Sequence, residues 1–203
     1  FGGHGLVVVG GEVTTKAHID YAQSAEQVYR DIGYTDPIRV LTNVIEQSPD
    51  IAQGVDTGGA GDQGIMYGYA TNETESYLPK ATVLAHALTK GLEDLRKTGI
   101  LSWLGPDGKA QVTLEDGRVK TVLVSTQHAD GMLQSDIRRE LIGHLISSVI
   151  GDLNGVEIHV NPTGAFVRGG FDADTGLTGR KLMVDTYGGL ISHGGGAFSG
   201  KDP

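Results

Sequence analysis

The chain has no cysteine, which excludes disulfides and thiolate metal sites. That composition fits a reducing compartment, so a cytoplasmic location is expected. Apolar runs are short. None approaches the roughly 20 residues that a membrane span requires, and Leu6–Val9, with no basic stretch before it, does not read as a signal peptide. Positive charge is scarce: 16 Lys and Arg stand against 25 Asp and Glu, for a net charge of −9. Nucleic acid is met mainly by clustered cations, so a basic nucleic-acid-binding face is disfavoured. There is no G-x-S-x-G, which disfavours a serine hydrolase. The seven histidines (4, 18, 86, 128, 144, 159 and 193) are scattered without H-E-x-x-H spacing, so no zinc site is expected and no metal ligand is assigned. His144 lies near an apolar helical face and reads as structural.

Glycine is abundant, at 32 of 203 residues, and 38% of the chain is hydrophobic. That is enough for a core with many tight turns, in one domain or two small ones. The first residue is Phe and a strand-like run follows almost at once, while Lys201-Asp202-Pro203 stops inside a loop. The chain is therefore expected to be part of a longer protein.

Leu6–Val9 and Glu12–Thr15 read as β segments separated by Gly10-Gly11. Residues 20–32 read as a helix on Ala22, Ala25, Val28, Tyr29 and Ile32, stopped by Gly33. Ile38–Leu41 is a short strand. Residues 47–76 hold six glycines and little periodicity, and so read as a long loop region. A second helix over 81–98 carries Leu84, Ala87, Leu88, Leu92 and Leu95 on one face, with Arg96 and Lys97 suiting its C-terminal dipole. Glu115-Asp116-Gly117-Arg118 signals a hairpin between Val112–Leu114 and Val119–Ser125. A third helix is expected near 136–150 on Ile137, Leu141, Leu145 and Val149. Val156–Val160 and Leu182–Val184 read as strands. The pattern is α+β: two layers, with helices packed on mainly antiparallel sheets.

Four glycine-bearing segments carry candidate chemistry. Gly195 to Lys201 has the spacing G-x-x-x-x-G-K, in which backbone N–H groups and a lysine can meet phosphate. Asp202 stands where a P-loop has Ser or Thr, so a glycine-rich turn with a surface lysine is the competing reading. Gly59-Ala60-Gly61-Asp62-Gln63-Gly64 matches G-x-G-x-x-G but lacks the strand before it and the helix after it, which rejects a dinucleotide fingerprint. A ligand-covering loop carrying Asp62 and a solvated turn both remain. Pro106-Asp107-Gly108-Lys109 reads on spacing alone as a plain turn. Gly176-Leu177-Thr178-Gly179-Arg180-Lys181 ends on two adjacent cations, either a phosphate site or two solvated charges at a strand end.

Taken together, these pieces resemble the S-adenosylmethionine synthetase (methionine adenosyltransferase) family. The resemblance rests on Gly10–Thr15, Gln47–Asp56, Gly59–Gly64, Pro106–Lys109 with Gln111–Thr113, Ser125–His128, Asn161–Gly164, Gly176–Lys181, Val184–Gly189 and His193–Pro203, in that order. It implies a reaction joining ATP and L-methionine: sulfur attacks the ribose C5′ carbon and expels triphosphate, which is then hydrolysed to pyrophosphate and phosphate. It further implies that Glu12, Gln53, Asp62 and Asp174 contact methionine. Asp107, Lys109, Phe166, Asp174, Arg180, Lys181, Ala197 and Lys201 would contact ATP, with Lys109, Arg180 and Lys201 as the catalytic cations. Mg2+ with ATP, K+, and a homodimer or dimer of dimers with the site between subunits are implied as well.

The implied fold is three similar α+β units, of which this chain holds roughly 1–105 and 106–203. The family's upstream Gly-His-Pro-Asp-Lys motif, with its metal aspartate, and its last unit are absent from the sequence. The loop between Asp56 and Gly59 is short for the family, and Ala165 stands where an arginine is common. A non-catalytic or split subunit that pairs with a complete homologue is the alternative reading.

Overall fold

The computed structural model describes residues 1–60 and 65–196. The chain forms two compact units, each discontinuous in sequence. One comprises Phe1–Tyr67, Phe171–Leu182 and Ser192–Pro203; the other comprises Gly68–Gly170 and Met183–Ile191.

In the first unit, β1 (Gly2–Gly3) pairs antiparallel with β2 (Leu6–Glu12), which pairs in parallel with β3 (Arg39–Ile45). Helix α1 (Tyr21–Ile32) makes the crossover between the parallel strands. Its N-cap is Asp20, whose Oδ1 accepts from the Gln23 N–H at 2.9 Å, and Gly33 ends it at φ 112°. Of its expected apolar face, Tyr29 is buried whereas Val28 and Ile32 are exposed. Tyr29 is held by stacking on Tyr34 and Phe171, at 5.1 and 5.8 Å between centroids.

The expected second β segment stops at Glu12, where the seven-residue register with β3 ends. The expected loop over 47–76 contains a helix, α2 (Pro49–Val55). Ser48 caps it and Pro49 opens it, a start signal that the glycine count obscured.

The second unit repeats the same connectivity. Strand β4 (Leu104–Glu115) pairs antiparallel with β5 (Arg118–His128), which pairs in parallel with β6 (Glu157–Val160). The α+β arrangement expected from the sequence is present, and its sheets are mixed, each holding one antiparallel and one parallel pair. The hairpin turn sits at Asp116 and Gly117, both at positive φ (51° and 74°), the conformation of a type I′ turn.

Helix α3 (Lys80–Lys97) and the segment formed by α4 (Gln134–Leu141), a π-helical turn (Ile142–Ile146) and α5 (Ser147–Ile150) supply the helical layer. Leu88, Leu92, Val122, Val124, Ile137, Leu141, Leu145 and Ile146 form its core. Each such burial contributes about 1.5–3 kcal/mol. The π turn has a cause in the sequence. Ile137, Leu141, Leu145 and Val149 recur every four residues, which outruns 3.6 per turn, and a wider turn returns the apolar stripe to the core. Gly91 on α3 permits close packing here, because a Cβ on it would run into Leu145 Cδ1.

Two local expectations are corrected. Leu182–Asp185 is a short helix, α6, rather than a strand, closed by the Gly188 N–H to Met183 carbonyl bond at 2.8 Å. His144 is half-exposed, with Nε2 3.5 Å from Glu140 Oε2, so it lies on the charged side of its helix. Among the described residues, no helix is long and apolar enough to cross a membrane.

Candidate functional site

Strand β5 buries alternate residues, and the alternation that places Val122 and Val124 in the core continues into Thr126 and His128. The core face therefore turns polar at one end, and every polar group there needs a partner. Asn161, just after β6, supplies two. Its Oδ1 accepts from the Thr126 N–H at 2.8 Å and its Nδ2 donates to the Thr126 carbonyl at 3.1 Å, so the side-chain amide serves as a further ladder residue. Asn161 holds φ 41°, which asparagine tolerates better than most residues. His128 binds the chain that follows. Its N–H donates to the Phe166 carbonyl, and its Nε2 accepts from the Phe166 N–H, both at 2.9 Å.

Opposite this end, β4 carries a bulge. Leu104 pairs with His128 and Gly108 with Thr126, so two more residues are accommodated on β4 than on β5. Pro106, which has no N–H to offer a ladder, lies within it. The segment expected to be a plain turn is thus a bulged strand. The bulge carries Asp107 to the 166–170 segment, where its Oδ2 accepts from the Gly170 N–H at 2.9 Å. Gln127 ties the two together. Its Oε1 accepts from the Asp107 N–H at 3.3 Å and its Nε2 donates to the Val167 carbonyl at 3.1 Å. The Gln127 amide fits because Gly105 and Gly169 have no Cβ; one at either position would lie 2.6 Å from it.

Asp107, Lys109 and Phe166 are thereby brought together. The Lys109 Nζ lies 5.9 Å from the centre of the half-buried Phe166 ring, within cation–π range. Lys109 is exposed and has no ion pair among the described residues. An un-neutralised cation beside a flat apolar face is an arrangement that can receive an anionic group attached to an aromatic one.

The other expected residues lie in the first unit. Glu12 is exposed at the end of β2, beside Ile45. Gln53 is exposed on α2, its Nε2 donating to the Asp50 carbonyl at 3.0 Å. Asp174 Oδ1 accepts from the Thr175 N–H at 2.7 Å. Arg180 and Lys181 are exposed after Gly179 (φ 79°), and neither has an ion-pair partner among the described residues. Two adjacent cations with no neutralising carboxylate suit an anion. No described hydrogen bond or ion pair joins these five to one another. Asp62, Ala197 and Lys201 lie outside the described residues. At the start of the terminal glycine run, Gly195 (φ 88°) donates its N–H to His193 Nδ1 at 3.1 Å.

The residues that build the Asp107 and Phe166 positions are Gln127, His128 and Asn161. Their sequence motifs carry the family resemblance, but their roles were not read from it. A usable signal was present in β5, where period-2 alternation places Thr126 and His128 on the core face.

These features define an α+β chain whose second unit presents a lysine, an aspartate and an aromatic ring from one bulged strand and the loop beside it. The S-adenosylmethionine synthetase central domain matches residues 57–166, and the S-adenosylmethionine synthetase C-terminal domain matches residues 168–203. The chain belongs to the S-adenosylmethionine synthetase family. It is similar to the S-adenosylmethionine synthase of Kosmotoga olearia, at 51% identity over 229 aligned positions that cover 98% of this chain and 58% of that protein. The chain thus spans little more than half the length of this curated relative. The alignment is longer than the chain, so the relative carries residues with no counterpart here.

Proposed function

We propose that the chain takes part in making S-adenosylmethionine from ATP and L-methionine. The observation that carries this is the joint placement of Asp107, Lys109 and Phe166, in a chain of this family. The nucleoside would lie against Phe166 and the triphosphate toward Lys109, with Arg180, Lys181 and Lys201 as further phosphate contacts and Ala197 beside the nucleotide. Methionine would be met by Glu12, Gln53, Asp62 and Asp174, the last also near the nucleoside.

In the reaction, a sulfur lone pair forms the S–C5′ bond while the C5′–O5′ bond breaks, and its electron pair leaves on the triphosphate. Thioether sulfur carries no proton, so no general base is needed. What needs stabilising is the charge developing on the leaving oxygen, and the cations Lys109, Arg180 and Lys201 would serve that purpose. Water then cleaves the triphosphate to pyrophosphate and phosphate.

Magnesium and potassium belong to this reading as cofactors. Among the described residues, no three His, Asp or Glu side chains converge on a point. No ligand in this chain is assigned to either ion, and no step is routed through one. The reading also includes similar α+β units, a third beyond this chain, and a homodimer or dimer of dimers.

The test is S-adenosylmethionine formation from ATP and methionine, measured on the 203-residue chain and on the complete product of its gene. Lys109→Met is the control and is expected to lower the rate at least about 100-fold. Nucleotide binding without turnover in either form would overturn the catalytic reading in favour of a non-catalytic subunit.

A further inference from the structure

We infer that His128 is a positioning residue for the nucleotide site, setting the Phe166 ring beneath Lys109 through a single neutral tautomer. The inference rests on the functional reading above. His128 is buried, at 4% exposure, and both ring nitrogens are engaged. The group facing Nε2 is the Phe166 N–H at 2.9 Å, which can only donate. Nε2 must therefore be the bare acceptor, and the ring proton is on Nδ1. There it donates to the Ala129 carbonyl at 2.8 Å.

The His128 backbone N–H adds a bond to the Phe166 carbonyl at 2.9 Å, so one residue holds the Phe166 backbone at both its polar groups. The ring held in this way is the one 5.9 Å from Lys109 Nζ. The β4–β5 register holds Lys109 opposite Ser125, and the Gln127 and Asp107 bonds tie down the loop just after Phe166, but the described hydrogen bonds to the Phe166 backbone itself come from His128. Both His128 ring nitrogens are taken by protein groups, so the ring offers no free polar atom to a ligand. It acts by orienting Phe166, and it sits on the core face of β5, where a buried aliphatic residue would serve packing equally well but would leave the Phe166 N–H unpaired.

The experiment separates packing from hydrogen bonding. His128→Gln carries an amide group near the position of Nε2 and can still accept from Phe166. His128→Asn carries its amide near the position of Nδ1 and cannot. Binding of a non-hydrolysable ATP analogue to the complete gene product is measured by calorimetry, with thermal unfolding alongside. The expected result is that His128→Gln stays within about threefold of the unsubstituted protein, while His128→Asn weakens about tenfold and melts lower but stays folded at the assay temperature.

Equal affinities for the two variants, with the unsubstituted protein binding the analogue, overturn the inference and leave the functional reading standing. Failure of the unsubstituted protein to bind the analogue overturns both. Nitrogen NMR of the unsubstituted protein provides a check that needs no variant to fold: a proton on His128 Nδ1 is expected, and one on Nε2 overturns the inference.

Discussion

The Asp107 carboxylate and the Gly170 N–H, 63 residues apart in sequence, meet at 2.9 Å and fasten the bulged start of β4 to the loop that follows β6. This closure and the Gln127 amide beside it hold the loop next to Phe166, alongside the His128 bonds to Phe166 and the β5 pairing of Lys109. The bond is half-buried and charge-assisted, which puts it among the stronger hydrogen bonds.

Asp107→Ala is therefore expected to lower unfolding stability by about 1–3 kcal/mol, because it strands the Gly170 N–H. Asp107→Asn keeps an acceptor oxygen and should recover most of that loss while removing the charge. Chemical denaturation of the two variants is the measurement, and equal losses for both would show that the hydrogen bond is not what closes the loop.

Gly169 is buried, and a Cβ there would lie 2.6 Å from Gln127 Oε1 and 2.9 Å from Asp107 Cβ. Gly169→Ala should cost about 1–3 kcal/mol through overpacking. Adding Gln127→Ala in the same chain relieves the clash, so the double variant should be more stable than the sum of the singles indicates. Strict additivity in a double-mutant cycle would rule out the contact as the cause.

Asn161→Leu leaves both backbone groups of Thr126 unpaired in the core and forces a leucine to hold φ 41°. The expected loss is about 3 kcal/mol or more. A loss below about 1 kcal/mol in denaturant unfolding would mean that water or a shifted backbone replaces the amide.

On α3, hydrogen bonds from Lys97 and then Lys90 hold the Glu93 carboxyl below its ordinary range. A depressed carboxylate adds stability above the unfolded-state value and loses it as pH falls through the lowered one. Glu93→Gln should thus lower the melting temperature slightly near neutral pH, and the difference should vanish in acid. All three side chains are exposed, so added salt should shrink it as well. A difference that survives in acid would have to come from something other than the charge.

Local signals were legible where one residue type permits one conformation. Asp20 and Gly33 marked the ends of α1, Asp116-Gly117 marked the hairpin, and the leucines of α3 marked a buried stripe, each independent of the rest of the chain. Local reading failed where a long-range partner decided. Pro106-Asp107-Gly108 has the composition of a turn and becomes a strand bulge because β5 lies alongside it. Leu182–Val184 has strand composition but finds no strand to pair with. The six glycines of 47–76 hid the Ser48-Pro49 helix start.

By itself, then, the sequence determined the three longer helical segments, the hairpin, the absence of thiol chemistry, and a motif order that points to one family. Periodicity, capping and motif spacing are properties of neighbours along the chain. The tertiary structure shows how Asp107, Lys109 and Phe166 come to lie together. It also decided that Gln127, His128 and Asn161 build that arrangement, because buried N–H and carbonyl groups had to be paired across 35 to 63 residues of sequence.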